Sequence, residues 1–277
     1  MISEQSSRAW TCFYKNNQQV CMGMPSLFQE FHSILIVDFG SQYAHLIARK
    51  IREAGIYCEL VSHTFDFSSI STNVKGINFA NFEGIILSGG PYSVFQEGAP
   101  HADKSLWNVS IPILGICYGL QEIAHQLGGQ VDSSEHREYG NCELLVKKDV
   151  LFKDLHEESF KVWMSHGDQV TQLPDSFISI GKTNSAPYAA IKHKEKQIYG
   201  LQFHPEVQHT PHGSAILSNF AYEICGCVGG WSMENFIDKE IKRIQEIVQN
   251  DVVVGAVSGG VDSTVAAKLM HLAANEK

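Results

Sequence analysis

Three short apolar runs, Ile34-Leu35-Ile36-Val37, Gly84-Ile85-Ile86-Leu87 and Ile111–Ile116, each lead into a glycine-bearing turn. A strand that is apolar at every position is buried on both faces, which places it inside a parallel sheet. Helical spacing follows the first run, with Tyr43, Ile47, Ile51 and Ala54 on one face and Gly55 as the stop. Leu120, Ile123, Ala124 and Leu127 mark a second helix, closed by Gly128-Gly129. Strand alternating with helix predicts an α/β fold, a mainly parallel sheet with helices on both faces.

Beyond Gly129 the rhythm shortens. Cys142–Lys147, Phe177–Thr183, Tyr188–Lys192 and Gln197–Phe203 read as antiparallel additions at the sheet's edge, and Ser214–Ile224 as a closing helix. Val228-Gly229-Gly230 is the expected domain boundary. Past it, Ser232 can cap a helix whose apolar face is Ile237, Ile241, Ile244 and Val248. A strand over Val252–Val257, a loop Ser258–Thr264 and a helix from about Val265 complete the pattern. One strand has no sheet partner, so residues 231–277 are expected to be an incomplete second α/β domain. Residues 1–32 show no periodicity and read as a loose extension, leaving 33–230 as the main domain.

Charge and cysteine content exclude several classes. With 21 basic and 30 acidic side chains the net charge is −9, and no Lys/Arg cluster offers a footprint for nucleic acid. Lys192, Lys194 and Lys196 read as a solvated hairpin around Glu195. Seven scattered cysteines, an odd number, argue against a secreted disulfide framework and for a reducing, cytoplasmic setting. No apolar run has the ~18 residues of a membrane span, and the start lacks a signal-peptide pattern. No metal is expected: Cys225 and Cys227 form a lone pair, and Pro211 separates His209 from His212 beside His204.

Chemistry concentrates at strand ends. Gly115-Ile116-Cys117-Tyr118-Gly119 has G-x-S-x-G spacing with cysteine as the nucleophile, on a strand-to-helix turn whose helix N-terminus favours a thiolate. Taken alone, it reads equally well as a small buried hydrophobe. His204-Pro205-Glu206 follows another strand and offers a base with a carboxylate to orient it. Tyr118 and Gly90, in Ser88-Gly89-Gly90-Pro91, can supply the two N–H groups of an oxyanion hole. Ser258-Gly259-Gly260-Val261-Asp262-Ser263-Thr264 lacks the lysine of a Walker A loop, yet its N–H groups and hydroxyls can surround an anion.

The blocks ILIVDFGSQY, GIILSGGP, GICYGLQ, VWMSHGDQV, YGLQFHPEVQHT and VSGGVDST resemble, in order, those of the glutamine-hydrolysing GMP synthase family, across residues 34–277. Cys, His and Glu alone specify only the class I glutamine amidotransferases; the SHGD block and the SGGVDS loop point to GMP synthase. The resemblance implies a flavodoxin-like sheet, with Cys117 attacking the glutamine amide, His204 moving protons and Glu206 orienting it. It implies that Gln121 and a turn formed by Ser165, His166, Gly167 and Asp168 hold glutamine. It implies that residues 258–264 hold the pyrophosphate of ATP, with magnesium, for adenylation of XMP, while the glutaminase step needs no cofactor. The family is homodimeric, and its dimerisation region and XMP site would lie beyond Lys277. This chain alone is therefore expected to retain at most the glutaminase half. A catalytically silent truncated product or a glutamine-binding regulatory module are the alternatives.

Overall fold

The uniform apolarity of Ile34–Val37 has a direct cause in the computed structural model, which describes residues 11–15, 18–22, 32–67, 82–249, 252–255 and 257–274. Ile34 and Ile36 enter one core, Leu35 and Val37 the other, on opposite faces of a sheet. Contacts divide the chain between Gly230 and Trp231. Phe28–Gly230 form one unit, and the residues from Trp231 onward join the N-terminal segment in a second.

The N-terminal segment carries a structure that periodicity did not reveal. β1 (Thr11–Lys15) and β2 (Gln18–Met22) pair antiparallel, with Phe13 opposite Val20. Thr, Phe, Tyr and Val suit strands.

Nine strands build the sheet of the larger unit: β3 (Ser33–Asp38), β4 (Tyr57–Ser62), β5 (Phe82–Leu87), β6 (Ile113–Ile116), β7 (Gln130–Val146), β8 (Ser159–Gln172), β9 (Phe177–Lys182), β10 (Ala190–His193) and β11 (Ile198–Leu201). Their order is β4-β3-β5-β6-β11-β10-β9-β7-β8. The first five are mutually parallel, and every pairing from β11 outward to β8 is antiparallel. Ile198–Leu201 therefore belongs to the parallel core, directly beside β6, rather than to the antiparallel edge where its short length had placed it.

Helices cover both faces. α1 (Ala44–Glu53) and α3 (Gly213–Asn219) contribute Ile47, Ile51, Ile216 and Leu217 to the core containing Ile34. α2 (Tyr118–Gln126) sends Leu120, Ile123 and Ala124 into the core containing Leu35. A π-helical turn, Phe220–Ile224, continues α3. Among the described residues no helix is long and apolar enough to cross a membrane.

In the second unit, α4 (Met233–Val248) starts at Ser232, whose hydroxyl accepts the Asn235 N–H at 3.0 Å. It packs on α5 (Val261–Ala274), with Ile244 and Ala273 buried. The expected strand over Val252–Val257 is not formed by its described residues, 252–255 and 257. Val252 is 74% exposed and Val254 86%. Among the described residues no strand pairs with this segment, so the ladder has nothing to build on. α5 also begins four residues earlier than expected, so Val261, Asp262, Ser263 and Thr264 form its first turn.

Candidate active site

Cys117 occupies the residue between β6 and α2, with φ 52° and ψ −102°. Such a backbone is costly for any residue with a Cβ and persists only where its surroundings enforce it. The enforcement is visible in the flanking glycines. A Cβ at Gly115 would lie 2.5 Å from the Gly119 carbonyl, and one at Gly119 only 2.4 Å from the Leu87 carbonyl oxygen. The G-x-C-x-G spacing is thus a packing requirement of the elbow. The Cys117 N–H donates to the Leu201 carbonyl at 2.7 Å, fastening the elbow to the end of β11. Sγ faces the Ser165 carbonyl at 3.7 Å and receives the Gln202 amide at 3.8 Å.

Because β11 runs parallel to β6 with Leu201 opposite Ile116, the chain leaves both strands at one rim. His204 follows there, 4% exposed. Its Nδ1 lies 2.7 Å from Glu206 Oε1, and Cys117 is near enough to act on the charge of the ring. Burial opposes a charged imidazole, but Cys117 first and Glu206 second outweigh it and hold the His204 pKa well above the ordinary histidine value. Pro205 separates base and carboxylate, and α3 closes over it: a Cβ at Gly213 would stand 1.8 Å from the Pro205 carbonyl oxygen. Tyr43 sets its ring edge-on to His204 at 5.5 Å.

The turn after β5 forms the opposite wall. A Cβ at Gly89 would lie 3.3 Å from His204 Cε1 and 3.9 Å from Cys117 Cβ, so a side chain there would crowd the His204 ring. At Gly90 it would press on the Phe39 carbonyl and the Tyr118 ring, both at 3.1 Å. Ser88 pins this turn, accepting the Phe39 N–H at 3.2 Å and donating to the Gly89 carbonyl at 2.8 Å. Tyr118 is the first residue of α2, where a backbone N–H has no partner within the helix.

Ser165, His166, Gly167 and Asp168 are not a turn; they lie within β8. Phe160, Val162, Met164 and His166 are buried while the residues between them are less so, a period of two that a polar histidine at an inward position disguised. The block does reach the elbow. Gln121, 3% exposed on α2, donates its amide to the Asp168 carbonyl at 2.8 Å, and His166 Nδ1 meets the same oxygen at 3.0 Å. Sequence reasoning passed over Glu138 on β7. It pairs in register with His166, and its Oε2 lies 3.0 Å from His166 Nε2. Burial is the main reason the His166 pKa is lowered.

In the second unit Gly259 takes φ 85°, a conformation suited to glycine. Ser258 and Ser263 hydroxyls lie 3.1 Å apart, and Ser263 and Thr264 both donate to the Gly260 carbonyl. The first-turn N–H groups of α5 fit a phosphate-bearing ligand in chemistry, while the three hydroxyls donate within the loop itself.

A cysteine on a strained strand-to-helix elbow, with a buried His–Glu pair just beyond the end of the neighbouring parallel strand, can support acyl transfer. The profile of the class-I glutamine amidotransferases matches residues 35–224, more than half of the chain. The chain belongs to that family. It is 50% identical over 256 residues to a glutamine-hydrolysing GMP synthase of Aspergillus fumigatus, covering 89% of this chain and 44% of the relative. The Aquifex aeolicus GMP synthase is 50% identical, with 88% of this chain and 46% of the relative covered. A solved Thermoplasma acidophilum structure, provisionally described as a GMP synthase subunit, shares 31% identity at a TM-score of 0.62; 76% of this chain and 98% of that one are covered. The chain spans a little under half the length of the curated relatives it matches, and corresponds to the glutamine-amidotransferase part of GMP synthase.

Other groups weighed from the sequence have separate partners in this amidotransferase. His209 packs tilted against Trp163 with ring centroids 4.4 Å apart, and His212 Nε2 lies 3.5 Å from Glu157. Cys225 and Cys227 are buried, free thiols whose pKa values burial pushes up, that of Cys227 to about 12. Among the described residues no group of three or more His, Cys, Asp or Glu side chains could hold a metal ion.

Proposed function

We propose that this chain hydrolyses glutamine at Cys117 and supplies ammonia for the ATP-dependent conversion of XMP to GMP. One observation carries the reading: His204 is buried with Glu206 on Nδ1, at the rim where β6 and β11 both end and Cys117 begins α2. His204 takes the thiol proton as Sγ attacks the amide carbon. The oxyanion that forms is received by the N–H groups of Gly90 and Tyr118. Breaking the C–N bond, with the proton returned from His204 to nitrogen, releases ammonia and leaves a glutamyl thioester. Water, deprotonated by His204, attacks that thioester, and glutamate departs as the thiol is restored. Glu206 keeps the ring in the tautomer this sequence needs. Gln121 with Ser165, His166, Gly167 and Asp168 holds the substrate.

Residues 33–230 are then the amidotransferase domain, and those from 231 onward belong to an ATP pyrophosphatase domain. ATP, with magnesium, would be held by residues 258–264, and it supplies the adenylyl group that activates XMP. A cytoplasmic setting and a homodimeric complete enzyme complete the reading. The test is incubation with an electrophilic glutamine analogue followed by peptide mass spectrometry. Modification at Cys117, blocked by excess glutamine, is the expected result; a Cys117 that ignores the analogue while reacting with iodoacetamide overturns the glutaminase assignment.

A further inference from the structure

The register of β7 against β8 shifts beside Cys117: Ser133 pairs with Asp168 and Glu138 with His166. A register shift disturbs the ladder locally, and side chains there tie β8 to its neighbours.

His166 does so with both nitrogens. A carbonyl can only accept, so Nδ1, at 3.0 Å from the Asp168 oxygen, carries a hydrogen. Nε2 meets Glu138 Oε2 at 3.0 Å, with one proton shared between ring and carboxyl group. The other oxygen of Glu138 is fully engaged, accepting from the Ser185 and Thr183 hydroxyls and from Cys142 Sγ. Both side chains are buried, at 1% exposure for His166 and 8% for Glu138. Asp168's carbonyl also takes the Gln121 amide, and the carbonyl just before His166 faces Cys117 Sγ. Glu138 therefore stands at the head of a chain of contacts running through His166 and Asp168 to α2.

We propose that Glu138 is the positioning residue for the glutamine-binding wall, fixing the His166 ring and through it the backbone of Gly167 and Asp168. The inference rests on the glutaminase reading and adds to it a residue that touches neither substrate nor sulfur. What matters on this view is the reach of the side chain and its pattern of hydrogen bonds, not its charge. Glu138→Gln retains the reach: its amide oxygen can accept from Ser185 and Thr183 while its NH2 group donates to Nε2. Glu138→Asp retains the carboxylate but stops one methylene short of the ring.

The experiment measures Cys117 alkylation by iodoacetamide in the full chain, with and without glutamine. The uninhibited rate reports the nucleophile, and the glutamine concentration giving half-protection reports the wall. For Glu138→Asp half-protection should need at least about ten times more glutamine, with the uninhibited rate within about two-fold of wild type. Glu138→Gln should stay within about three-fold of wild type on both measures. Equal protection in Glu138→Asp and wild type, a Gln variant as weak as the Asp variant, or parallel loss of the uninhibited rate each overturn the proposal. A wild-type Cys117 that glutamine does not protect overturns the glutaminase reading, and the proposal with it.

Discussion

The backbone N–H of His204 donates to the carbonyl of Trp163 at 3.0 Å, joining this histidine to β8. Thr210 closes the clip: its hydroxyl donates to the His204 carbonyl at 2.7 Å and accepts the Trp163 N–H at 3.0 Å. Thr210 is 3% exposed, so neither partner would gain water if the hydroxyl were removed. Thr210→Val should lower stability by about 2–3 kcal/mol in urea unfolding, and Thr210→Ser by much less, because orphaned buried groups are costly.

The elbow has no room for a methyl group at Gly119, whose nearest neighbour is backbone rather than a movable side chain. Gly119→Ala should destabilise the chain by about 1–3 kcal/mol and slow alkylation of Cys117 as α2 shifts. Denaturant midpoints together with alkylation rates check both effects.

Cys117→Ala removes the proposed nucleophile and leaves its neighbours in place. Glutamate release from glutamine should fall by at least about a thousand-fold, with the thermal midpoint little changed. Retained hydrolysis in this variant, measured by coupled glutamate detection, would remove Cys117 from the mechanism.

His204 should titrate above the ordinary histidine value of about 6.5 in NMR spectra of the wild-type chain. Cys117→Ala should lower its pKa, since Cys117 is the largest favourable influence, and Glu206→Gln should lower it as well. The folded-state value is raised, so the stability linked to this proton is complete below the unfolded pKa and disappears as pH rises through the folded one. A His204 resonance that titrates below 6.5 in wild type contradicts the assignment.

Legibility in the sequence followed the strength of each physical signal. Ile34–Val37 and Ile111–Ile116 announced a doubly covered sheet because every position had to be apolar. Cys117 and His204 could each be placed at a strand end, but the rim they share depends on β11 running parallel to β6, which its short length concealed. β8 stayed hidden since Trp163 and His166 blur an alternation that is otherwise regular. Glu138 left no local signal at all: its partners Thr183 and Ser185 lie more than forty residues away. Val252–Val257 misled for the opposite reason, because local composition favoured a strand where pairing, a non-local condition, was lacking.

The dihedral angles at Cys117 carry a consequence for how this protein tolerates change. Position 117 would be easiest on the chain as a glycine, which avoids a conformational penalty of about 1–3 kcal/mol. Thermodynamic robustness and chemical reactivity therefore pull that one residue in opposite directions. A variant library ranked on melting temperature alone would favour replacing the sulfur, so activity has to be scored beside heat resistance.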